Sequence, residues 1–239
     1  MHKEKAGRAR RWGAAMAALL FAGVAGSATP VASPVTGEAV AGASLSEWTA
    51  RWWRWADAQR VPPYLDPDGR LCELGQEGPF WYLAGTNGRF APNRECDVPE
   101  GKYLLLPIIN MAYYQLDPDL PCAQMQAGAA VNNEHLLSAV VVLDGQLLGD
   151  MRVHRVKSPG CFRMDPDDDT SRLAAADGYW LMIKPLSRGR HTIRVGANYG
   201  APGDEAYGHM QQSFEYVLHV GTRTQVTQAG PLPGAVAAR

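Results

Sequence analysis

Histidine and glutamate side chains in the second half of the chain are the groups best suited to acid–base or metal chemistry. Glu134 and His135 are adjacent, and Glu205 and His209 are four residues apart, within reach of each other on a helix. His154 lies in an apolar run predicted to be a strand. Imidazole and carboxylate are ordinary zinc ligands and general acids or bases. These five residues, at no distinctive ligand spacing, leave open a secreted metal-assisted hydrolase or lyase.

An acidic run offers a second kind of chemistry. Asp165, Asp167 and Asp169 have the alternate-residue spacing of a calcium loop. An EF-hand is excluded, because Thr170 stands where the loop needs glycine and Ala176 where it needs glutamate. A looser calcium site and a solvated acidic loop are the two remaining interpretations. The sequence predicts no cofactor, and leaves calcium or zinc open.

Aromatic side chains near loop signals suggest a third function, ligand binding without catalysis. Tyr113, Tyr114, Tyr199 and Tyr207 are the candidates, because flat amphipathic rings suit carbohydrate faces. Trp180 is instead predicted to be core. The leading hypothesis is an exported, non-catalytic binding module for a small molecule or glycan, such as a carbohydrate or a cell-envelope component.

Familiar catalytic signatures are missing from the sequence. It contains no GxSxG elbow, phosphate-binding Walker loop, HExxH helix, GxGxxG turn or CxxCH haem site. The net charge of -1 excludes a general basic field for nucleic acid. The sequence therefore favours a binding protein over an enzyme and assigns no reaction.

Four cysteines remain for structure. Cys72, Cys96, Cys122 and Cys161 allow three disulfide pairings, and the sequential one, 72–96 with 122–161, is favoured. A metal site is the alternative, but no two cysteines have the close spacing of a zinc knuckle. Paired disulfides indicate an oxidising compartment.

The first residues are typical of an export signal. Basic residues up to Arg11 precede a short apolar run and small residues near Ala28, which predicts a signal peptide over 1–28. A retained anchor is the alternative. No second long apolar segment follows, so no membrane span is predicted after cleavage. The expected location is periplasmic or extracellular, with a flexible lead-in over 29–43.

One amphipathic helix is predicted at the start of the mature body. Ser44 and Glu47 match a capping box, and Pro62-Pro63 ends the helix. Leu45, Trp48, Trp52 and Trp55 form one apolar stripe. Packing onto the body is the favoured role of the stripe. Were it exposed, the protein would instead be an interaction subunit of an envelope complex.

The rest of the chain alternates short apolar runs with turn signals. Asp144-Gly145 predicts the clearest hairpin, and the segment 213–222 alternates like a half-buried strand. The predicted fold is mainly β, an antiparallel β-sandwich or jelly-roll-like domain over 44–227 with one N-terminal amphipathic helix. A disordered tail is expected over 228–239.

Three segments resemble a family of exported bacterial proteins that has no established activity. They are CELGQEGPFWYLAGT (72–86), VPEGKYLLLPIIN (98–110) and DGYWLMIKPLSRGRHTIRVGA (177–197). The resemblance covers residues 44–222 and implies an exported single domain. It assigns no catalytic residue.

Overall fold

The computed structural model describes residues 33–203 and 208–221. The predicted signal peptide and C-terminal tail lie outside these ranges. The described chain is mainly β, as the sequence predicts. Its two α-helices are α1 (Leu45–Ala58) and α2 (Cys122–Ala130). Its strands, in chain order, are β1 (Val35–Thr36), β2 (Phe80–Tyr82), β3 (Asn93–Val98), β4 (Tyr103–Tyr114), β5 (Leu136–Leu143), β6 (Gln146–Leu147), β7 (Arg155–Lys157), β8 (Phe162–Arg163), β9 (Leu173–Ile183), β10 (Gly189–Tyr199) and β11 (Met210–Val220).

The strands form two sheets. The first has the order β1-β9-β4-β2, with β7 and β8 also pairing along β9, and the second has the order β3-β11-β10-β5-β6. Most strand pairs are antiparallel, but β2 pairs parallel with β4 and β3 pairs parallel with β11. The chain visits the second sheet as β3 between β2 and β4. That crossover lets β2 and β4 run in the same direction.

Apolar side chains from both sheets form the core between them. Leu106, Leu181, Ile193 and Leu218 are fully buried there. A register shift between Pro107 and Ile109 interrupts the pairing of β4 with β9, where proline cannot donate to the ladder.

Helix α1 covers the outer face of the first sheet. The Ser44 hydroxyl accepts a hydrogen bond from the Glu47 backbone N–H at 3.3 Å, and Glu47 accepts one from the Ser44 N–H at 2.8 Å, which confirms the capping box. Trp48, Trp52 and Trp55 are buried against this sheet. The tryptophan stripe is therefore not the exposed patch that an interaction subunit would present.

Helix α2 is an element that the sequence analysis did not predict. The ring of Tyr113 lies directly under Gly128, where an added Cβ would sit 2.3 Å from the ring. Its neighbour Tyr114 contacts Trp53 of α1. Because successive strand residues face opposite ways, α1 and α2 cover opposite faces of the first sheet.

The hairpin at Asp144-Gly145 has the predicted turn. Both residues have positive φ, 48° and 81°, as a type I′ turn requires. The second strand, β6, has only two residues. His154 consequently lies in a 3-10 helix, Met151–His154, and not on the predicted strand.

Both disulfides are present in the favoured sequential pairing, Cys72–Cys96 and Cys122–Cys161. The first ties the segment after α1 to β3, and the second ties the start of α2 to the segment before β8. In the predicted lead-in, Val35 and Thr36 pair with β9. Within 33–203 and 208–221, no helix has the length and apolar content needed to cross a bilayer.

Candidate functional site

Two pockets meet at Asp57, near the C-terminal end of α1. The smaller, of about 70 Å³, is lined by the aromatic residues Trp53, Tyr64 and Tyr114 together with Asp57. The larger, of about 540 Å³, is also lined by Asp57. We call the two pockets together the Asp57 cleft. Their combined lining of aromatic and charged groups is the composition expected of a small-ligand site.

The larger pocket has charged walls. Its lining residues are Arg54, Asp57, Ala58, Met164, Asp165, Pro166, Ser171 and Arg172. Arg54 and Asp57 come from α1, and Arg172 directly precedes β9. The pocket therefore joins the outer helix to the acidic loop and to the start of a central strand.

An ion pair stands where the two pockets join. A guanidinium nitrogen of Arg172 donates to the Asp57 carboxylate at 2.6 Å. The same guanidinium lies 4.2 Å from the centre of the Tyr114 ring, a cation–π distance. Both charged side chains remain partly exposed, 48% for Arg172 and 38% for Asp57. A bound ligand can therefore reach an acceptor and a donor side by side.

The aromatic side of the cleft is built by helical and strand geometry. Trp53 and Asp57 are four residues apart on α1, so they lie on one face of the helix. Tyr114 ends β4, and its ring is perpendicular to that of Trp53 at a centroid distance of 6.4 Å. Tyr64 belongs to the 3-10 helix Pro63–Leu65 that follows the proline stop.

The two phenols of the cleft are held in their neutral form. Burial, and then the Asp57 charge, raise the pKa of Tyr114 to about 12, although Arg172 opposes the shift. Burial and Asp57 also raise the pKa of Tyr64. Both hydroxyls therefore keep their protons at neutral pH and can donate or accept hydrogen bonds.

The indole N–H of Trp53 is buried and has no hydrogen-bond partner among the described residues. Buried donors are normally satisfied by protein, water or ligand. This N–H is not accessible from the smaller pocket, which Trp53 lines with its ring beside the polar groups of Tyr64, Tyr114 and Asp57. The cleft can therefore bind a polar molecule with an apolar face.

The predicted tyrosines occupy different environments. Tyr114 lines the cleft, whereas Tyr113 packs under α2. Tyr199 requires a correction, because it is buried and not a surface residue. The odd-numbered residues of β10 face the core, and the Tyr199 hydroxyl accepts a hydrogen bond from Gln212 at 3.3 Å. Tyr207 lies outside the described residues.

The predicted acid–base residues belong to separate elements. Glu134 forms an ion pair with Arg155 at 3.7 Å, and His135 beside it is exposed. His154 is half-buried, and burial lowers its pKa. His209 is exposed before β11, and Glu205 lies outside the described residues. Throughout the described ranges, no group of three or more histidine, cysteine or acidic residues is placed to hold a metal ion.

The acidic run forms a turn of local hydrogen bonds. The Asp165 carboxylate accepts the Asp167 backbone N–H at 3.0 Å, and the Asp168 carboxylate accepts the Thr170 hydroxyl at 2.6 Å. Asp169 is fully exposed, near Arg163 at 3.8 Å. Asp165, Asp167 and Asp169 are therefore not gathered around one centre, although Asp165 lines the larger pocket.

A serine, a histidine and an aspartate that sequence reasoning passed over lie in series at the β5–β6 turn. His191 Nδ1 is 2.6 Å from an Asp144 carboxylate oxygen, and the Ser187 hydroxyl is 3.5 Å from Nε2. However, Nε2 is closer to the Ser187 carbonyl oxygen, at 2.8 Å, which only accepts. The carbonyl oxygen, and not the hydroxyl, is therefore the close partner of Nε2, and the serine is not aligned to pass its proton to the histidine. The set braces the hairpin rather than activating a nucleophile.

Sequence reasoning also missed Trp53, Asp57, Tyr64 and Arg172. Only Trp53 carried a local signal, as a tryptophan beside the apolar stripe and not on it. Comparison with protein-family models, with curated proteins and with solved structures finds no match to this chain.

Proposed function

We propose that this protein is an exported, non-catalytic binding module that takes a carbohydrate in the Asp57 cleft. The observation that carries the proposal is the meeting of three aromatic side chains, Trp53, Tyr64 and Tyr114, with the Asp57–Arg172 ion pair. A sugar ring has an apolar face of C–H groups and a rim of hydroxyls. The two parts of the cleft match these two requirements.

The polar half of the cleft suits adjacent hydroxyl groups. The Asp57 carboxylate accepts hydrogen bonds and the Arg172 guanidinium donates them, at atoms only 2.6 Å apart. The neutral phenols of Tyr64 and Tyr114 add further donors. Hydrogen bonds to charged groups are the stronger ones, so Asp57 should dominate orientation and affinity.

Export is supported by the disulfides. Disulfides persist mainly in the periplasm and outside the cell, and all four cysteines of the chain are paired. The N-terminal sequence and the resemblance to exported bacterial proteins agree with that location. We therefore propose a periplasmic or extracellular ligand, with the cell-envelope glycans as the nearest source.

The test is a titration of the oxidised mature protein with a panel of oligosaccharides. Tryptophan fluorescence and calorimetry detect binding. At least one oligosaccharide should bind saturably. Asp57→Asn should weaken it about tenfold or more, since hydrogen bonds to charged groups contribute about 1.5–3 kcal/mol.

The matched control is Glu100→Gln, which breaks another exposed ion pair, with Arg188 at 2.7 Å. This variant should bind like the wild type. A panel without any binder, or an Asp57→Asn protein that binds as well as the wild type, would overturn the proposal.

A further inference from the structure

Arg54 is a half-buried cation whose charge is not neutralised by a neighbouring carboxylate. Its Nε donates to the Arg163 carbonyl at 2.8 Å, and its guanidinium carbon lies 5.3 Å from the Phe162 ring centre. Among the described residues, no carboxylate forms an ion pair with it. Arg54 also lines the larger pocket.

Of the other charged residues that line this pocket, Asp57 and Arg172 form an ion pair with each other, and the Asp165 carboxylate makes only a local hydrogen bond, with a backbone N–H. Arg163 lies near Asp169. Among the described residues, Arg54 is thus the cation of this pocket that has no ion-pair partner, and Asp165 is the corresponding anion.

The surroundings disfavour the Arg54 charge. Burial, and then the neighbouring Arg51, lower the pKa of Arg54. Bringing an anion to this point would offset both effects. Guanidinium groups bind carboxylates through paired, parallel N–H donors, which gives them a geometric preference as well as an electrostatic one.

We propose that the ligand of the Asp57 cleft is an acidic sugar, a uronic acid or an oligosaccharide containing one, and that Arg54 binds its carboxylate. This inference rests on the proposed function and adds the chemical class of the ligand. The aromatic pocket and the Asp57–Arg172 pair would take the ring and its hydroxyls. The larger pocket would take the carboxylate.

The experiment compares oligogalacturonate with its methyl ester at the same chain length, by calorimetry on the oxidised mature protein. The two ligands differ in charge but share their hydroxyl groups. The acid should bind about tenfold or more tightly than the ester at low salt, and the preference should shrink as salt is added. This part needs no variant, so folding defects cannot affect it.

Variants of the protein then show which residue causes the preference for the acid over the ester. Arg54→Gln should bind acid and ester alike, and Arg54→Lys should keep only part of the preference, since it retains the charge without the planar fork. Arg51→Gln is the matched control. Arg51 lies one turn earlier on the same helix, 4.3 Å from the Trp48 ring centre, and does not line the pocket.

The outcomes separate the two proposals. Equal binding of acid and ester by the wild type, or a preference that survives Arg54→Gln, would overturn the role of Arg54 and leave carbohydrate binding intact. If neither ligand binds, and no other acidic or neutral member of the panel binds, both proposals fall together.

Discussion

The carboxylate of Asp57 and the guanidinium of Arg172 are 2.6 Å apart, although they are separated by 115 positions in the chain. The contact joins the last turn of α1 to the start of β9. Both side chains are partly exposed to solvent, and the ion pair lies where the two pockets meet. Its position is therefore better suited to ligand recognition than to holding the helix in place.

The first prediction is that the Asp57–Arg172 pair contributes little to stability. In a double-mutant cycle with Asp57→Asn and Arg172→Gln, the coupling free energy of unfolding should be below about 1 kcal/mol, because exposed ion pairs contribute little. Denaturant unfolding of the four proteins measures it. Sugar affinity should fall far more than stability. A coupling of about 3 kcal/mol would instead assign the pair a structural role.

Tyr114 supplies a spectroscopic prediction. Its pKa is raised to about 12 from an ordinary value of 10.0, mainly by burial and then by Asp57. In an alkaline titration monitored by phenolate absorbance, Tyr114→Phe should remove one tyrosine that ionises near pH 12. In Asp57→Asn, the Tyr114 pKa should fall, since the repelling carboxylate is gone and Arg172 is freed to favour the phenolate.

The sign of the linked stability change follows from the same shift. Because the native phenol keeps its proton at pH values where the unfolded one loses it, this contribution is fully present below pH 10. It is lost as the pH rises towards the folded pKa of about 12. Wild-type unfolding free energy should therefore fall more steeply above pH 10 than that of Tyr114→Phe. Tyr82, whose pKa is also raised to about 12, remains in both proteins as an internal reference.

Local patterns account for the parts of the fold that the sequence predicts well. The Ser44–Glu47 box, the tryptophan spacing and Pro62 define α1 because each acts within a few residues of chain. The Asp144-Gly145 turn is predictable for the same reason. Parallel pairing of β3 with β11 has no local signature, since it joins segments more than a hundred residues apart.

The residues of the Asp57 cleft were equally hard to predict from local sequence patterns. Tyr114 was among the predicted binding residues because it lies near a turn signal, but nothing near it in sequence indicates Asp57 or Arg172. Tyr199 has equally good loop signals and is buried, because strand register decides which way a side chain faces. Long-range pairing therefore determines the site, and local chemistry only supplies candidates for it.

The two disulfides lead to a prediction about the stability of the protein. Replacing Cys72 and Cys96 by serine, or Cys122 and Cys161 by serine, should each lower the free energy of unfolding by about 2–4 kcal/mol. The second pair encloses the longer segment, with a separation of 39 residues against 24, which predicts a further loss of about 0.4 kcal/mol from loop closure. Denaturant unfolding of the oxidised proteins is the measurement. A reductant should destabilise the wild type and leave the fourfold serine variant unchanged.

The last prediction concerns a buried charge away from the cleft. Asp177 is 1% exposed on β9, and its carboxylate accepts two hydrogen bonds from Arg155, at 3.0 and 2.9 Å. Lys157 lies 3.5 Å from the same carboxylate. These hydrogen bonds are the main cause of the raised pKa of Arg155. Asp177→Ala should lower the free energy of unfolding by about 3 kcal/mol, because it leaves the half-buried Arg155 with only the exposed Glu134 carboxylate, 3.7 Å away.

Two comparison variants separate the stabilisation that the Asp177–Arg155 pair provides from the destabilisation caused by leaving one charge behind. Glu215→Ala removes an exposed pair with Arg194 at 3.0 Å and should cost less than about 1 kcal/mol. A double variant, Asp177→Ala with Arg155→Met, should recover part of the loss, because the half-buried guanidinium that lost both Asp177 hydrogen bonds is then gone. If the double variant is no more stable than Asp177→Ala alone, the loss comes from removed packing around Asp177 and not from the half-buried charge of Arg155.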